Sequence, residues 1–364
     1  MRKPARATLQ IVAERAGVSR QTVSNVVNSP HLVRPQTLSR VQRVLDELDY
    51  RPHLAARQMR TQRSQLIGLR LEPVRDGVNG VVLDRFLHAL SENAQARGYR
   101  ILLFTADDVA AEIRSYQELT MSHEIDAFVL TSTHHGDART EWLGQRGVPF
   151  VTFGRPWGAE DQHDWVDVDG ARGTSEAVEH LHGLGHQRIA FIGWPTGSGV
   201  GDDRRAGWRR AMNARALATE GLDWATSDGI DSGAAAATGL LERPSPPTAF
   251  VCASDSLAIG ALGVVRARGL MAGDDVAVVG FDDTALAQGL GLSSVSQPID
   301  AVASGCLHML QQRLQAKATR PAAPPSEPHQ LLAPTLRVRA SSHRSTHPSN
   351  PPDPLVRPPQ GAHA

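Results

Sequence analysis

The chain has almost no cysteine, two residues in 364. Cys252 and Cys306 stand in separate apolar contexts, which argues against a disulfide framework and makes buried free thiols in a reducing cytoplasm the economical reading. No apolar run approaches the roughly 18 residues that a membrane span needs. The N-terminal MRKPARATLQ is basic but has no apolar stretch behind it, so it does not read as a secretory signal. There is no leucine heptad near the C-terminus to suggest an added coiled coil. Nucleophile and phosphate motifs are missing as well. The glycine-rich run at 197–201 would need glycines at 196 and 200 to make G-x-S-x-G, and Thr196 and Val200 stand there. No GK[ST] follows it, which excludes a P-loop. His134 and His135 are adjacent and cannot point at one ion from a regular element, so a solvated loop is the reading there. Neither a metal, a cofactor nor a catalytic group is expected.

Net charge is also absent, with 38 Lys and Arg against 38 Asp and Glu, but the balance hides an asymmetry. Residues 1–63 hold 12 basic against 4 acidic side chains, so a +8 segment precedes a −8 remainder. A compact basic module suits a polyanionic partner. Its basic residues are not gathered along one long apolar helix, which argues against a membrane surface.

Within that module, residues 8–28 (TLQIVAERAGVSRQTVSNVVN) contain two short amphipathic segments separated by Ala16-Gly17-Val18. Leu9, Val12, Ala13 and Ala16 share one helical face, as do Val23, Val26 and Val27 in the second segment. At about 100° per residue, Arg20, Gln21, Ser24 and Asn25 point the other way. Thr8 and Ser19 stand where a side-chain oxygen caps free helix amides. Gly17 frees the turn. The pattern fits a helix-turn-helix whose second helix reaches base edges. A plain helical hairpin fits the segment equally well when it is taken alone. A third helix is expected over about 35–48, with Leu38, Val41, Leu45 and Leu48 at helical spacing and Pro35 in its first turn. Residues 53–63 (HLAARQMRTQR) bury no face of their own. They read either as a flexible linker or as a segment that orders against a partner.

From Leu66 onward strands and helices alternate. Leu66-Ile67-Gly68-Leu69, Ile101-Leu102-Leu103-Phe104, Ala127-Phe128-Val129-Leu130 and Phe150-Val151-Thr152-Phe153 are short buried runs separated by helix-length stretches. The rhythm resumes through Trp165, Ile189, Ala249 and Val276. Two successive α/β units of parallel sheet flanked by helices follow from it, with ligands expected outside the strands' carboxyl ends, between the lobes. After about residue 341 the chain is rich in Pro, Ser and His and reads as disordered.

These segments together resemble the LacI/GalR family of transcriptional repressors over residues 8–342. The resemblance is carried by residues 8–28, V-R-P-Q-T at 33–37, L-D-Y-R-P-H at 48–53 and D-G-A-R-G-T at 169–174. It continues in E-H-L-H-G-L-G-H-Q-R-I-A at 179–190, R-R-A-G-W at 204–208, A-S-D-S-L-A-I-G-A-L at 253–262 and V-V-G-F-D-D at 278–283. It implies an all-α helix-turn-helix headpiece at 1–52, a hinge helix at 53–63 and a two-lobed, periplasmic-binding-protein-like core at 64–342. The first lobe is expected at about 64–163 plus 298–324, the second at about 164–297 plus 325–342, and a disordered tail at 343–364. The implied partners are a pseudo-palindromic double-stranded operator, a second copy of the chain and a small molecule, expected to be a sugar. No membrane partner is implied.

Residue by residue, the resemblance assigns base reading to Arg20, Gln21 and Asn25, although Asn25 departs from the arginine of a better-known member. Thr8, Ser19, Thr22, Ser24 and Asn28 are expected to cap helices or contact phosphate. Ala56 and Met59 match the hinge positions that wedge into the minor groove. Arg204, Ser254, Asp255, Asp282 and Gln297 match cleft positions. Trp157, Trp165 and Trp194 lie near strand ends as candidate stacking platforms, with Trp165 preferred, and Arg155 flanks the first crossing between lobes. A sugar-transport protein shares the core architecture, but it would need an export signal and would lack the basic headpiece.

Overall fold

The computed structural model describes residues 8–28, 30–50, 63–71, 80–122, 124–158, 163–318 and 329–343. Residues 53–62 of the expected hinge, with Ala56 and Met59, and residues 344–364 of the expected tail lie outside them. The chain divides into two compact units, Met1–Ser64 and Gln65–Ala364.

The first unit is helical, and its ends are set by local chemistry. Helix α1 (Leu9–Ala16) starts where Thr8 Oγ1 accepts the Ile11 N–H at 3.3 Å. It stops at Gly17, whose φ of 63° is left-handed and lets the Val18 N–H turn back to the Ala13 carbonyl at 3.0 Å. Helix α2 (Arg20–Asn28) follows at once, with Ser19 Oγ accepting the Thr22 N–H at 3.1 Å. Helix α3 (Pro35–Glu47) begins on proline, whose missing N–H is no loss in a first turn. Val12, Ala13, Ala16, Val23, Val26, Val41, Val44 and Leu45 close the core between the three helices. Each fully buried valine or leucine stabilises by about 1.5–3 kcal/mol.

The second unit holds two six-stranded sheets. One is built from β1 (Leu66–Arg70), β2 (Arg100–Phe104), β3 (Ala127–Leu130), β4 (Phe150–Phe153), β5 (Trp165–Val168) and β11 (His329–Leu332), in the order β11-β5-β4-β3-β1-β2. All its pairings are parallel. Alternate side chains of β3 serve its two faces, as the twofold repeat of a strand requires. Ala127 and Val129 pack with α4 (Gly80–Ala96) and α12 (Ile299–Ala318), whereas Phe128 and Leu130 pack with Tyr116 of α5 (Val109–Met121) and Leu143 of α6 (Ala138–Gln145).

The other sheet is built from β6 (Ile189–Gly193), β7 (Asp223–Ala225), β8 (Ala249–Cys252), β9 (Ala277–Phe281), β10 (Ser293–Ser296) and β12 (Thr335–Arg337). Its order is β12-β10-β9-β8-β6-β7, and only the edge strand β12 runs antiparallel. Helices α7 (Gly170–Gly183), α8 (Gly199–Ala214), α9 (Ile230–Leu241), α10 (Asp255–Ala267) and the short α11 (Ala285–Gly289) flank it. Among the described residues no helix is long and apolar enough to cross a membrane.

The lobe boundaries differ from those expected. Trp165–Val168 and His329–Leu332 were placed in the second lobe, yet both strands belong to the first sheet, where Thr152 pairs with Trp165 and Trp165 with His329. The chain therefore crosses between lobes after Val168, around Gln297-Pro298, and between Leu332 and Thr335. A four-residue apolar strand looks the same in either sheet, and the loop before β5 imitates a crossing by its composition.

Helices α9 and α10 approach backbone to backbone. A Cβ on Gly260 would stand 2.6 Å from the Ala234 nitrogen, and one on Gly233 would stand 2.7 Å from the Leu257 Cα. Gly263, one turn along the same helix, has nothing within 4 Å of that position. Gly260→Ala should destabilise by roughly 1–3 kcal/mol, because neither backbone can yield. Gly263→Ala should stabilise by about 0.4–1 kcal/mol through the unfolded chain. Thermal unfolding of both variants checks the packing; equal shifts would contradict it.

Candidate functional site

Chemistry-bearing residues gather on one surface of each unit. In the headpiece, α2 buries Val23 and Val26 and leaves Arg20 and Gln21 exposed, with Ser24 and Asn25 half-buried beside them. Gln21 Nε2 donates to Asn25 Oδ1 at 3.0 Å, so two amides one turn apart are held as one unit. Arg20 and Gln21 stand in the first turn, where the helix end also favours anions. Thr8 and Ser19 are spent as caps, and Thr22 Oγ1 lies 2.9 Å from Ser19 Oγ. A cation, two amides and hydroxyls on one helix face can take both phosphate oxygens and base edges.

In the second unit the carboxyl ends of both sheets open onto a cavity of about 390 Å³. The first lobe contributes Thr131, Ser132, Thr133 and His134 beyond β3, Phe153 and Gly154 at the end of β4, Trp157 beyond it, and Asp167 on β5. The second contributes Trp194 beyond β6, Asp203 and Arg204 on α8, and Phe281 and Asp282 at the end of β9. Gln297 lies at a crossing between them.

Arg204 is the centre of this arrangement. Its side chain is 6% exposed, its Nη1 donates to the Ala253 carbonyl, and its Nη2 lies 3.6 Å from Asp282 Oδ1. The guanidinium lies 3.6 Å from the centroid of the Phe281 ring and 5.5 Å from that of Trp194. Its Nε has no partner, and neither have Trp157 Nε1 and Thr133 Oγ1, all of them buried on the wall of the same cavity. Leaving such groups unsatisfied is costly.

Asp282 Oδ1 accepts from Gln297 Nε2 at 2.7 Å. Burial pushes the Asp282 carboxyl up to about 7, against the pull of Arg204 and with the Asp255 carboxylate adding to the rise. Burial likewise raises Asp167, opposed by Arg155. Backbone strain collects here too, since Ser132 (φ 55°), Trp157 (φ 35°) and Asp282 (φ 112°) are all left-handed without being glycine. Donors, carboxylate and amide acceptors, and two indole faces suit a polar ligand with several hydroxyls.

Comparison with known proteins finds matches to stretches of both units. Residues 8–53 match the family described as bacterial regulatory proteins, lacI family, and residues 178–342 match a periplasmic binding protein-like domain. The HTH-type transcriptional regulator CelR of Thermobifida fusca is 34% identical over 342 residues, covering 91% of this chain and 99% of that protein. The chain belongs to the LacI family of bacterial regulatory proteins.

Among solved LacI-family structures, the transcriptional regulator CelR–cellobiose complex is similar at a TM-score of 0.66 and 31% identity, covering 92% of this chain and all of that one. The Lac repressor dimer bound to operator and the anti-inducer ONPF is similar at a TM-score of 0.78 and 25% identity, covering 93% of this chain and all of that one. The family consists of transcription regulators rather than enzymes. Among the described residues no group of three or more His, Cys, Asp or Glu is placed to hold a metal ion.

Of the cleft residues expected for a LacI-family core, Arg204, Asp282 and Gln297 line the cavity, and the other four do not. Ser254 caps α10, accepting the Leu257 N–H at 3.3 Å and donating to Asp228. Asp255 braces the Asp282 turn from behind, accepting from the Thr284 N–H at 2.7 Å and from Ser294 Oγ at 2.6 Å. Trp165 stacks on His329 at 4.9 Å, at the start of β5 rather than at the end that meets the cavity. Trp157 and Trp194 are the indoles in the wall. Arg155 sits behind the wall, paired with Asp167 and Asp203. Asp167, Asp203 and Thr133 went unrecognised in the sequence. An acidic residue inside the buried strand W-V-D-V was the available signal for Asp167.

The raised acid makes a pH test possible. An unfolded aspartate titrates near 3.9, so the folded state holds the Asp282 proton more tightly. Its contribution to stability is therefore complete below about pH 4 and is lost as pH rises through about 7. Asp282→Asn removes that loss. The melting temperature of the variant minus that of the parent should rise between about pH 5 and about pH 8. A difference that stays flat or falls would contradict the assignment.

Proposed function

We propose that this chain is a homodimeric, operator-binding repressor of the cytoplasm whose affinity for DNA is set by a neutral glycoside held between the two lobes of its core. The observation that carries the reading is the meeting of Thr133, Trp157, Trp194, Arg204, Asp282 and Gln297 in the wall of one cavity between opposed strand ends. The solved CelR–cellobiose complex supports a sugar as ligand, and the Lac repressor dimer on its operator supports paired headpieces.

On the operator, Arg20 would read guanine through O6 and N7, and Gln21 adenine through N6 and N7. Asn25, tied to Gln21, narrows how that amide presents itself. Thr22, Ser24 and Asn28 hold register on phosphate, while Ala56 and Met59 take the minor-groove role that the family resemblance implies. In the cleft, Arg204 and Asp282 bind hydroxyls in opposite senses, as donor and acceptor, with Gln297 orienting Asp282. Ligand alters DNA affinity only through its unequal affinity for the core's two states.

Arg20→Ala should cost roughly 1–3 kcal/mol of operator affinity and relax preference at one base per half-site. Selection from a randomised operator pool, followed by anisotropy titration, measures both, and an untouched preference would remove α2 from the interface. In Asp282→Ala the ratio of operator affinities with and without cellobiose should fall to one. A normal ratio would take Asp282 out of the site.

A further inference from the structure

The connection between β4 and β5 belongs to the first lobe and α8 to the second, yet they are clasped together. Arg155 Nε donates to Asp167 Oδ2 at 2.7 Å within its own lobe, and its Nη2 donates to Asp203 Oδ2 at 3.0 Å across the cleft. The same Asp203 oxygen accepts the Ala171 N–H at 2.9 Å, which ties it to the start of α7. The three charged side chains are only 12%, 8% and 15% exposed, so water screens them little. The Arg155 guanidinium lies 4.6 Å over the Trp157 ring. That ring in turn presses on the backbone of α8: a Cβ on Gly199 would stand 2.5 Å from Trp157 Nε1. Asp167, Asp203, Trp157 and Gly199 all line the cavity, and Arg155 does not.

We propose that Arg155 is a positioning residue for the cleft: by bridging Asp167 to Asp203 and carrying Trp157 onto Gly199, it sets the separation of the two lobes and the spacing of the acceptors a ligand meets. A guanidinium suits this task because several donors fixed in one rigid plane can serve two carboxylates at once. A lysine ammonium on a flexible stem lacks that geometry. Without the cation, two carboxylates face each other across the cleft and push the lobes apart. The use of the spacing rests on the glycoside reading above; the clasp itself is a property of the unliganded chain.

The test is amide hydrogen exchange on the full-length parent and the Arg155→Gln, Arg155→Lys and Gly199→Ala variants, with cellobiose affinity by calorimetry alongside. Gly199→Ala leaves every charge in place and works only by wedging Trp157 away. Arg155→Gln and Gly199→Ala should each accelerate exchange about tenfold or more in residues 153–157 and 199–204, while residues 189–193 and 249–252 keep their rates. Arg155→Lys should fail to restore protection, and both disruptive variants should bind cellobiose more weakly than the parent. Unchanged exchange in the two clasped segments, or acceleration spread equally over the reference strands in both variants, would overturn the proposal. A parent protein that does not bind cellobiose would count against the glycoside reading, and exchange would still decide the clasp.

Discussion

A buried guanidinium sets the terms for the core. Arg204 stands on the first turns of α8, out of water, with a carbonyl, a carboxylate 3.6 Å away and the face of Phe281 for company. Such a charge is tolerated only with close partners, and removing one of them leaves the rest exposed to the full desolvation cost. The surroundings are arranged accordingly. Asp282 is held in a left-handed backbone conformation at the end of β9, Gln297 orients its carboxylate, and Asp255 supports the turn behind it. Arg204 Nε is buried without a hydrogen-bond partner, and the residue lines the cavity. A site in which protein groups satisfy one another incompletely is prepared for a guest that completes the set.

Parallel sheets explain where that guest is received. Both lobes bring their strands' carboxyl ends to the same cleft, and the chain passes between them three times, at the end of β5, around Gln297 and after β11. Three short crossings permit a change of angle between lobes while keeping them in register. Residues at the crossings, or immediately beside them, therefore feel the ligand and the lobe angle together. Gln297 is one, and Asp167, one residue before the end of β5, is another. Arg155 reaches from the first lobe to Asp203 in the second and so acts on the same coordinate. The headpiece is a separate compact unit with its own valine-rich core, so in the proposed function DNA and ligand are recognised by independently built parts.

The headpiece was legible in the sequence because its signals are local. Thr8, Gly17 and Ser19 each act within four residues, and the valines repeat at helical spacing, so both helices and their outward face follow directly. The strands were legible for the same reason, except that Ile101–Phe104, read as a buried run, is the edge strand β2, with none of its residues buried and Leu103 44% exposed. What could not be read was which sheet a strand joins. Trp165–Val168 and Val166's neighbours in β4 are brought together by pairing across the chain, and a four-residue apolar run carries no mark of its partner. That error displaced the stacking candidate from Trp157 and Trp194 to Trp165, and it hid Asp167. Ser254 and Asp255 were misread for a related reason. Cap and ligand contact both call for short polar side chains at a strand's end, and only the direction of their hydrogen bonds separates the two.

The central claim is that the cleft and the operator-reading face are two sites of one equilibrium. Linkage requires that a ligand which changes operator affinity by some factor must have its own affinity changed by operator by the same factor. Calorimetric titration of cellobiose into the full-length protein, free and saturated with its operator, measures that reciprocity directly. The account predicts affinities that differ by the same factor that cellobiose imposes on operator binding. Equal cellobiose affinities in the two titrations, with operator affinity likewise unmoved by saturating cellobiose, would contradict it.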